Sequence, residues 1–242
     1  DYIKIVATGG STTTSHPLRP AFDLDELRAI VDEAHEFGVL TASHCVSTQG
    51  TINSLDAGVD MIIHCVFKEA DGQDVFREDV AERIVSQGAF VDPTLHVGRA
   101  RVWSLQEQKD MIGLGTEGQR QLDQCRLEFE TRVEHCGKLI EMGAKVITGS
   151  DSSWGWYKLG NTVYEAECLV MAGYTNAQAV LSVTSMAANA IGIDDVVGTL
   201  EPGKEADIVV INGDPTRDIS SLGKVAGVFL GGRWIDRGSP PT

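Results

Sequence analysis

The chain has 242 residues, enough for one large domain or two small ones. With 35 acidic residues against 20 basic ones, its net charge of −15 repels nucleic acid and anionic membrane surfaces. No apolar run is long enough to encode a spanning helix, and 42% hydrophobic content is that of a folded globule, not of a disordered chain.

The run Tyr2–Ala7 reads as a strand that ends in Thr8-Gly9-Gly10. Asp23, with Glu26 three residues on, predicts a capping box. Leu24, Leu27, Ile30, Val31, Ala34 and Phe37 continue it at helical spacing, and Gly38 stops the helix. Val39–Ser43 is the next strand and leads into His44. A short helix over Thr51–Ala57 closes at Gly58, and the strand Val59–Ile63 leads into His64. Glu78–Ser86 is predicted helical and closes at Gly88; Ala89–Val91 is a strand that runs into Asp92-Pro93-Thr94-Leu95. A long helix is expected from about Gln119 to Met142, then a strand Lys145–Thr148 that runs into Gly149-Ser150-Asp151. Helical segments follow near Thr162–Ala172 and Asn176–Ala190.

Five strands alternating with helices imply parallel βαβ units. In (β/α) barrels the carboxyl ends of the strands form the active-site face, and the polar residues of interest sit there. After about Ile193 the character changes to short strands, Ile208–Asn212, Val225–Leu230 and Gly231–Ile235, joined by turns. We expect residues 1–193 to form the (β/α) part and residues 194–242 part of a small β domain, with Pro240 and Pro241 at a frayed end.

Cysteines at 45, 65, 125, 136 and 168 form no CxxC pair and are odd in number. They make neither a disulfide framework nor a zinc ribbon, and read as reduced, mostly buried thiols. The chain opens at Asp1 with no Met, so the sequence leaves a targeting segment open; a cytoplasmic location is favoured.

Four residues occupy equivalent places: Lys4 in the first strand, and His44, His64 and Asp151 just after the second, third and fifth. Singly, each has an ordinary alternative: a hydrogen-bonded loop histidine, a turn aspartate, a solvated lysine. Together, two imidazoles and a carboxylate on one face suit a divalent metal such as zinc. Such an ion lowers the pKa of its water and polarises a carbonyl, as amide hydrolysis needs, and Asp151 can accept the water's proton.

The stretches D-Y-I-K-I-V-A-T-G-G, T-A-S-H, A-G-V-D-M-I-I-H, G-A-F-V-D-P-T-L and T-G-S-D resemble the amidohydrolase superfamily. So does the tail G-T-L-E-P-G-K-E-A-D-I-V-V-I-N-G-D-P with V-F-L-G-G-R. The imidazolonepropionase-related and Xaa-Pro or Xaa-Arg dipeptidase-like members are the most similar group. The resemblance implies an α/β fold, a partial TIM (β/α)8 barrel from about its fourth strand onward, with carboxyl-terminal strands of a small β-sandwich domain. It implies a metal-dependent hydrolase of amide, peptide (dipeptide) or cyclic amide bonds. It also implies one or two divalent ions, Zn2+ foremost, with carboxylated Lys4 bridging them. His44 and His64 then hold one ion, and Asp151 holds the other and activates the hydroxide.

The family's His-x-His pair of the first barrel strand has no counterpart among histidines 16, 35, 44, 64, 96 and 135. A truncated chain, a second polypeptide that completes the barrel, or a degenerate, non-catalytic chain each fit that departure. An open five-stranded sheet also exposes unpaired edges, so self-association into a homo-oligomer, or association with a missing amino-terminal segment, is expected. The expected ligand is a small molecule or dipeptide.

Other positions are open to two readings. Ser11–Thr14 with His16 is a flexible loop or a substrate contact. His96, just past a strand end, is a candidate substrate-binding residue. Trp154 and Trp156 wall a pocket or pack at its mouth. His35 and His135 lie in helices and are expected to be exposed or capping. Cys45 and Cys65 each follow a candidate ligand, but neighbouring strand residues face opposite ways, which argues against a Cys–His pair. No phosphate loop or Gly-x-Ser-x-Gly elbow is present.

Overall fold

A computed structural model describes residues 2–10, 15–152 and 159–236. The five predicted strands form as β1 (Tyr2–Ile5), β2 (Leu40–His44), β3 (Met61–Ile63), β4 (Phe90–Asp92) and β5 (Lys145–Val146). They lie in one sheet in the order β1-β2-β3-β4-β5, every pair parallel. The connecting helices are α1 (Leu24–Glu36), α2 (Thr48–Ala57), α3 (Glu78–Gln87), α4 (Leu95–Ile112) and α5 (Thr116–Glu141), with α6 (Val163–Met171), α7 (Asn176–Ser182) and α8 (Ser185–Ala190) after β5.

Local chemistry sets the helix ends. Asp23 accepts from the Glu26 amide at 2.9 Å, and the Glu26 side chain accepts from the Asp23 amide at 2.9 Å, which completes the predicted capping box. Gly38, Gly58, Gly88 and Gly143 turn the chain back towards the sheet with φ between 68° and 90°, a region that favours glycine.

Side chains alternate across the sheet. One face carries Ile5, Cys45, Ile62, Val91 and Val146, and packs on Leu27, Val31, Leu55, Ile84, Leu139 and Leu169 of the helices to form the main core. The other face follows the register Lys4, Ala42, Met61, Phe90 and Lys145. There Ala42, Met61, Ile63 and Ile147 form a smaller apolar cluster, against which Ala190 and Met186 of α8 pack. Two residues further along the strands the same face reaches His44, Ile63 and Asp92 in register.

Two helical expectations change. Residues 95–112 form α4, which the sequence pattern did not predict. Its buried positions include His96 and Arg99, Gly98 lies in its first turns, and Thr94 makes no side-chain cap bond, so apolar periodicity and capping signals are both weak. The segment expected as one helix over Asn176–Ala190 is broken between α7 and α8. The Ser182 carbonyl accepts from the Thr148 amide at 3.1 Å, and the two hydroxyls lie 2.6 Å apart, so the end of β5 competes with the helical ladder.

Towards the carboxyl end, β6 (Ile208–Ile211), β7 (Val225–Leu230) and β8 (Arg233–Trp234) form a separate antiparallel sheet. A Cβ at Gly227 would stand 2.4 Å from the Trp234 ring, so the indole covers this strand only because the residue is glycine. Pro240 and Pro241 lie outside the described residues.

Loss of the capping box is a direct test of the α1 boundary. Asp23→Ala removes the acceptor for the Glu26 amide and is expected to lower stability by about 1 kcal/mol, read as a shift in the urea midpoint with an unchanged slope.

Candidate active site

The carboxyl end of the sheet brings the sequence candidates together. His44 closes β2, and His64 follows β3 with φ 67°. Their rings meet edge to face with centroids 4.5 Å apart. His44 Nε2 lies 3.4 Å from the Gly9 carbonyl, and Gly10 sits so close that a Cβ there would touch the imidazole at 3.5 Å. His64 Nδ1 lies 2.6 Å from Thr94 Oγ1. Desolvation, with smaller contributions from His44, Arg132 and Lys4, pushes the His64 pKa down to about 2. Desolvation also lowers His44. Both imidazoles are therefore neutral near pH 7, the form that offers a lone pair.

Lys4 is exposed on the same face, in register with Ala42. Desolvation by the strands beneath lowers its pKa, while Asp92 and Asp151 act in the opposite sense. Asp151 lies in the loop that follows β5, with φ 43°, and is close enough to Lys4 and His44 to influence both. Among the described residues, the non-glycine positions with positive φ are His64, Cys65, Thr94 and Asp151. All four lie in the loops that follow β3, β4 and β5, at the carboxyl end of the sheet. Such conformations cost of the order of 1–3 kcal/mol each and collect at functional sites.

Asp92 was not singled out in the sequence, yet it belongs here. Its carboxyl group ends β4 in register with Ile63, and its Oδ1 is buried without a hydrogen-bond partner. Burial raises its pKa to about 7, against the pull of Lys4 and the Thr94 and Gly149 amides. A Cβ at Gly149 would come within 2.0 Å of Asp92 Oδ2, so the glycine of Thr-Gly-Ser-Asp exists to admit this carboxyl group. The signal available in the sequence was an acidic residue at the end of an otherwise apolar strand.

Other candidates separate from the cluster. His96 lies in the first turn of α4, 1% exposed, between Trp103 and Tyr164, with its Nδ1 accepting from Arg99 at 3.1 Å. His16 is exposed, and its Nδ1 accepts from the Leu18 amide at 3.3 Å in a local turn. His35 pairs with Asp60 at 2.9 Å. His135, expected to be exposed or capping, instead packs against Phe67 and Phe76, since α5 lays this side of itself on the β3–α3 loop. Residues Ser11–Thr14, Trp154 and Trp156 lie outside the described residues. All five cysteines are buried and free, and burial pushes Cys45 and Cys65 away from the thiolate form. A Cys–His nucleophile has no support. A cavity of about 650 Å³ opens at the opposite end of the strands, lined by Arg28, Asp32 and Asp60 among others, and holds none of the residues above.

The donor set fits a divalent ion in kind. It comprises two neutral imidazoles in contact, a lysine, and carboxyl groups with one buried oxygen unsatisfied. It does not close around one: among the described residues, no three His, Cys, Asp or Glu side chains gather closely enough to hold an ion.

The model of the amidohydrolase family matches residues 1–235. The chain belongs to the amidohydrolase family. It is similar to a Xaa-Pro dipeptidase solved with methionine in its active site, at 27% identity and a TM-score of 0.79 over 98% of this chain and 54% of that one. It is 24% identical to the ochratoxinase of Aspergillus niger over 237 residues, 96% of this chain and 45% of that enzyme. The imidazolonepropionase of Geobacillus kaustophilus matches over 84 residues only, at 38% identity, 34% of this chain and 20% of that enzyme. The chain thus spans about half the length of the larger amidohydrolases it matches. With them, the five-stranded parallel sheet is part of a (β/α) barrel.

Two outcomes follow from the buried carboxyl groups. Glu165 is raised from 4.5 to about 8 by burial, and Asp92 from 3.8 to about 7. A raised folded-state pKa contributes stability that is complete below the unfolded value and lost as pH rises through the folded one. The thermal midpoint should therefore fall from pH 5 to pH 8, and Glu165→Gln should flatten that fall. Separately, Gly149→Ala should displace the Asp92 carboxyl group, which an altered Asp92 13C-carboxyl titration would report.

Proposed function

We propose that this chain contributes a metal-dependent hydrolytic site that cleaves a C–N bond in an amide, a dipeptide or a cyclic amide. The observation that carries this is the contact of His44 and His64 at the carboxyl end of the sheet, with rings 4.5 Å apart and both imidazoles neutral. His44, His64, Lys4 and Asp151 are the residues that would hold the ion or ions, zinc foremost. A divalent ion bound there supplies a water of lowered pKa and polarises the scissile carbonyl.

The chain's own residues do the rest. Asp151, near enough to Lys4 and His44 to act on both, accepts one proton from the attacking water on a carboxylate oxygen. The remaining hydroxide oxygen bonds to the carbonyl carbon, the C–N bond breaks, and the same carboxyl group returns the proton to the departing nitrogen. Lys4, whose charge is disfavoured by desolvation, is suited to lose one proton and, as the neutral amine, to bond CO2 as a carbamate with loss of a second, which turns a cation into an anionic oxygen donor. His96, expected as a substrate-binding residue, is 1% exposed between Trp103 and Tyr164, and we give it no part in this site.

A second observation bears on how the site is completed. Among the described residues β1 pairs only with β2, and Tyr2 and Ile3 in it and Val6 just after it are 48%, 43% and 50% exposed. An edge of this kind invites further strands, from another segment, another polypeptide or a second copy. The donors that the described residues do not supply would arrive with them, and alone the chain would be non-catalytic.

Hydrolysis of dipeptides with and without added zinc, in the chain alone and co-expressed with the amino-terminal half of a similar dipeptidase, tests both points. The proposal expects zinc-dependent release of amino acid in the assembled form, and a loss of at least 100-fold on Asp151→Asn, the order expected for a general base. Equal activity of the Asp151→Asn and His64→Asn variants with the parent would contradict it.

A further inference from the structure

The turn between β4 and α4 is fixed by polar groups that take no part in the reaction proposed above. Thr94, its N-cap residue, has φ 47°, is 1% exposed and makes no cap bond to its own helix. A threonine at this position ordinarily turns its hydroxyl onto a helix amide. Here Glu165, fully buried on α6, takes that place from outside: it accepts from the Leu95 amide at 2.7 Å and the His96 amide at 2.5 Å. Arg132 reaches in from α5 and donates Nη2–H to the Pro93 carbonyl at 2.6 Å. The two side chains are near enough to act on each other electrostatically, and Arg132, Pro93 and Leu95 wall the same small crevice as His64. With its helix amides already satisfied, Thr94 is left with its Oγ1 at 2.6 Å from His64 Nδ1.

We infer that Glu165 and Arg132 are positioning residues for His64. They hold the Pro93–His96 turn, so that Thr94 Oγ1 accepts the His64 Nδ1–H and the Nε2 lone pair is left for a ligand. Partners of this kind fix the tautomer and the ring plane of a ligating histidine. The inference rests on His64 as a ligand, but the tautomer itself can be read without any metal.

Long-range 15N–1H spectra of the metal-free chain report the His64 tautomer, with the signal assigned by its loss in His64→Asn. Zinc affinity, from competition with a chromophoric chelator, is the second readout. The parent and Thr94→Ser should hold the Nδ1–H tautomer. Thr94→Val should shift His64 towards Nε2–H and weaken zinc binding by about 10–100-fold. Glu165→Gln, which can accept only one of the two amides, should move both readouts the same way to a smaller extent; Arg132→Lys serves if that variant does not fold. A folded Glu165→Gln or Arg132→Lys with the parent's tautomer and affinity would overturn the inference, as would an unchanged tautomer in Thr94→Val. Equal zinc binding by the parent and His64→Asn would instead overturn His64 as a ligand, and the tautomer alone would then decide the role of the turn.

Discussion

The parallel register of β2, β3 and β4 is the constraint on which everything else rests. Because side chains alternate with a period of two, one face of the sheet must run Ala42–Met61–Phe90 and then His44–Ile63–Asp92. A slip of one residue in any strand would send an imidazole or a carboxyl group into the main core. The apolar residues on the far face, among them Cys45, Ile62 and Val91, are fully buried and forbid that slip. The core chosen by the helices therefore decides where the polar donors emerge.

Where the strands end, the chain accepts strain and desolvation together. His64, Thr94 and Asp151 adopt positive φ, the Asp92 carboxyl group keeps a buried oxygen without a partner, and His64 is driven neutral. None of these favours the fold by itself. They persist because neighbouring groups over-determine them: Gly149 leaves room for Asp92, and Glu165 and Arg132 hold the turn that carries Thr94. Strain and desolvated polar groups thus collect at this end of the sheet, as they do at functional sites.

Much of this was legible from residue types and spacing. The Asp23–Glu26 box, the glycines that close helices and the short β-branched runs located the five strands, and with them Lys4, His44, His64 and Asp151. The local pattern failed where tertiary contacts replace it. α4 carries His96 and Arg99 on its buried side and is capped by a carboxyl group 70 residues away, so neither periodicity nor a cap motif announced it. The α7–α8 break depends on a hydrogen bond to the end of β5. Asp92 was hidden because a carboxyl group at a strand end gains meaning only when Gly149 and Lys4 are seen beside it. The roles of Glu165 and Arg132 arise wholly from contacts distant in sequence.

Anomalous diffraction at the zinc edge, from crystals grown with the ion, would test the convergence of the two imidazoles most directly. A peak bonded to both His44 and His64 at ordinary zinc–nitrogen distances is the expected result. Rings turned away from one another with no anomalous density between them would contradict it.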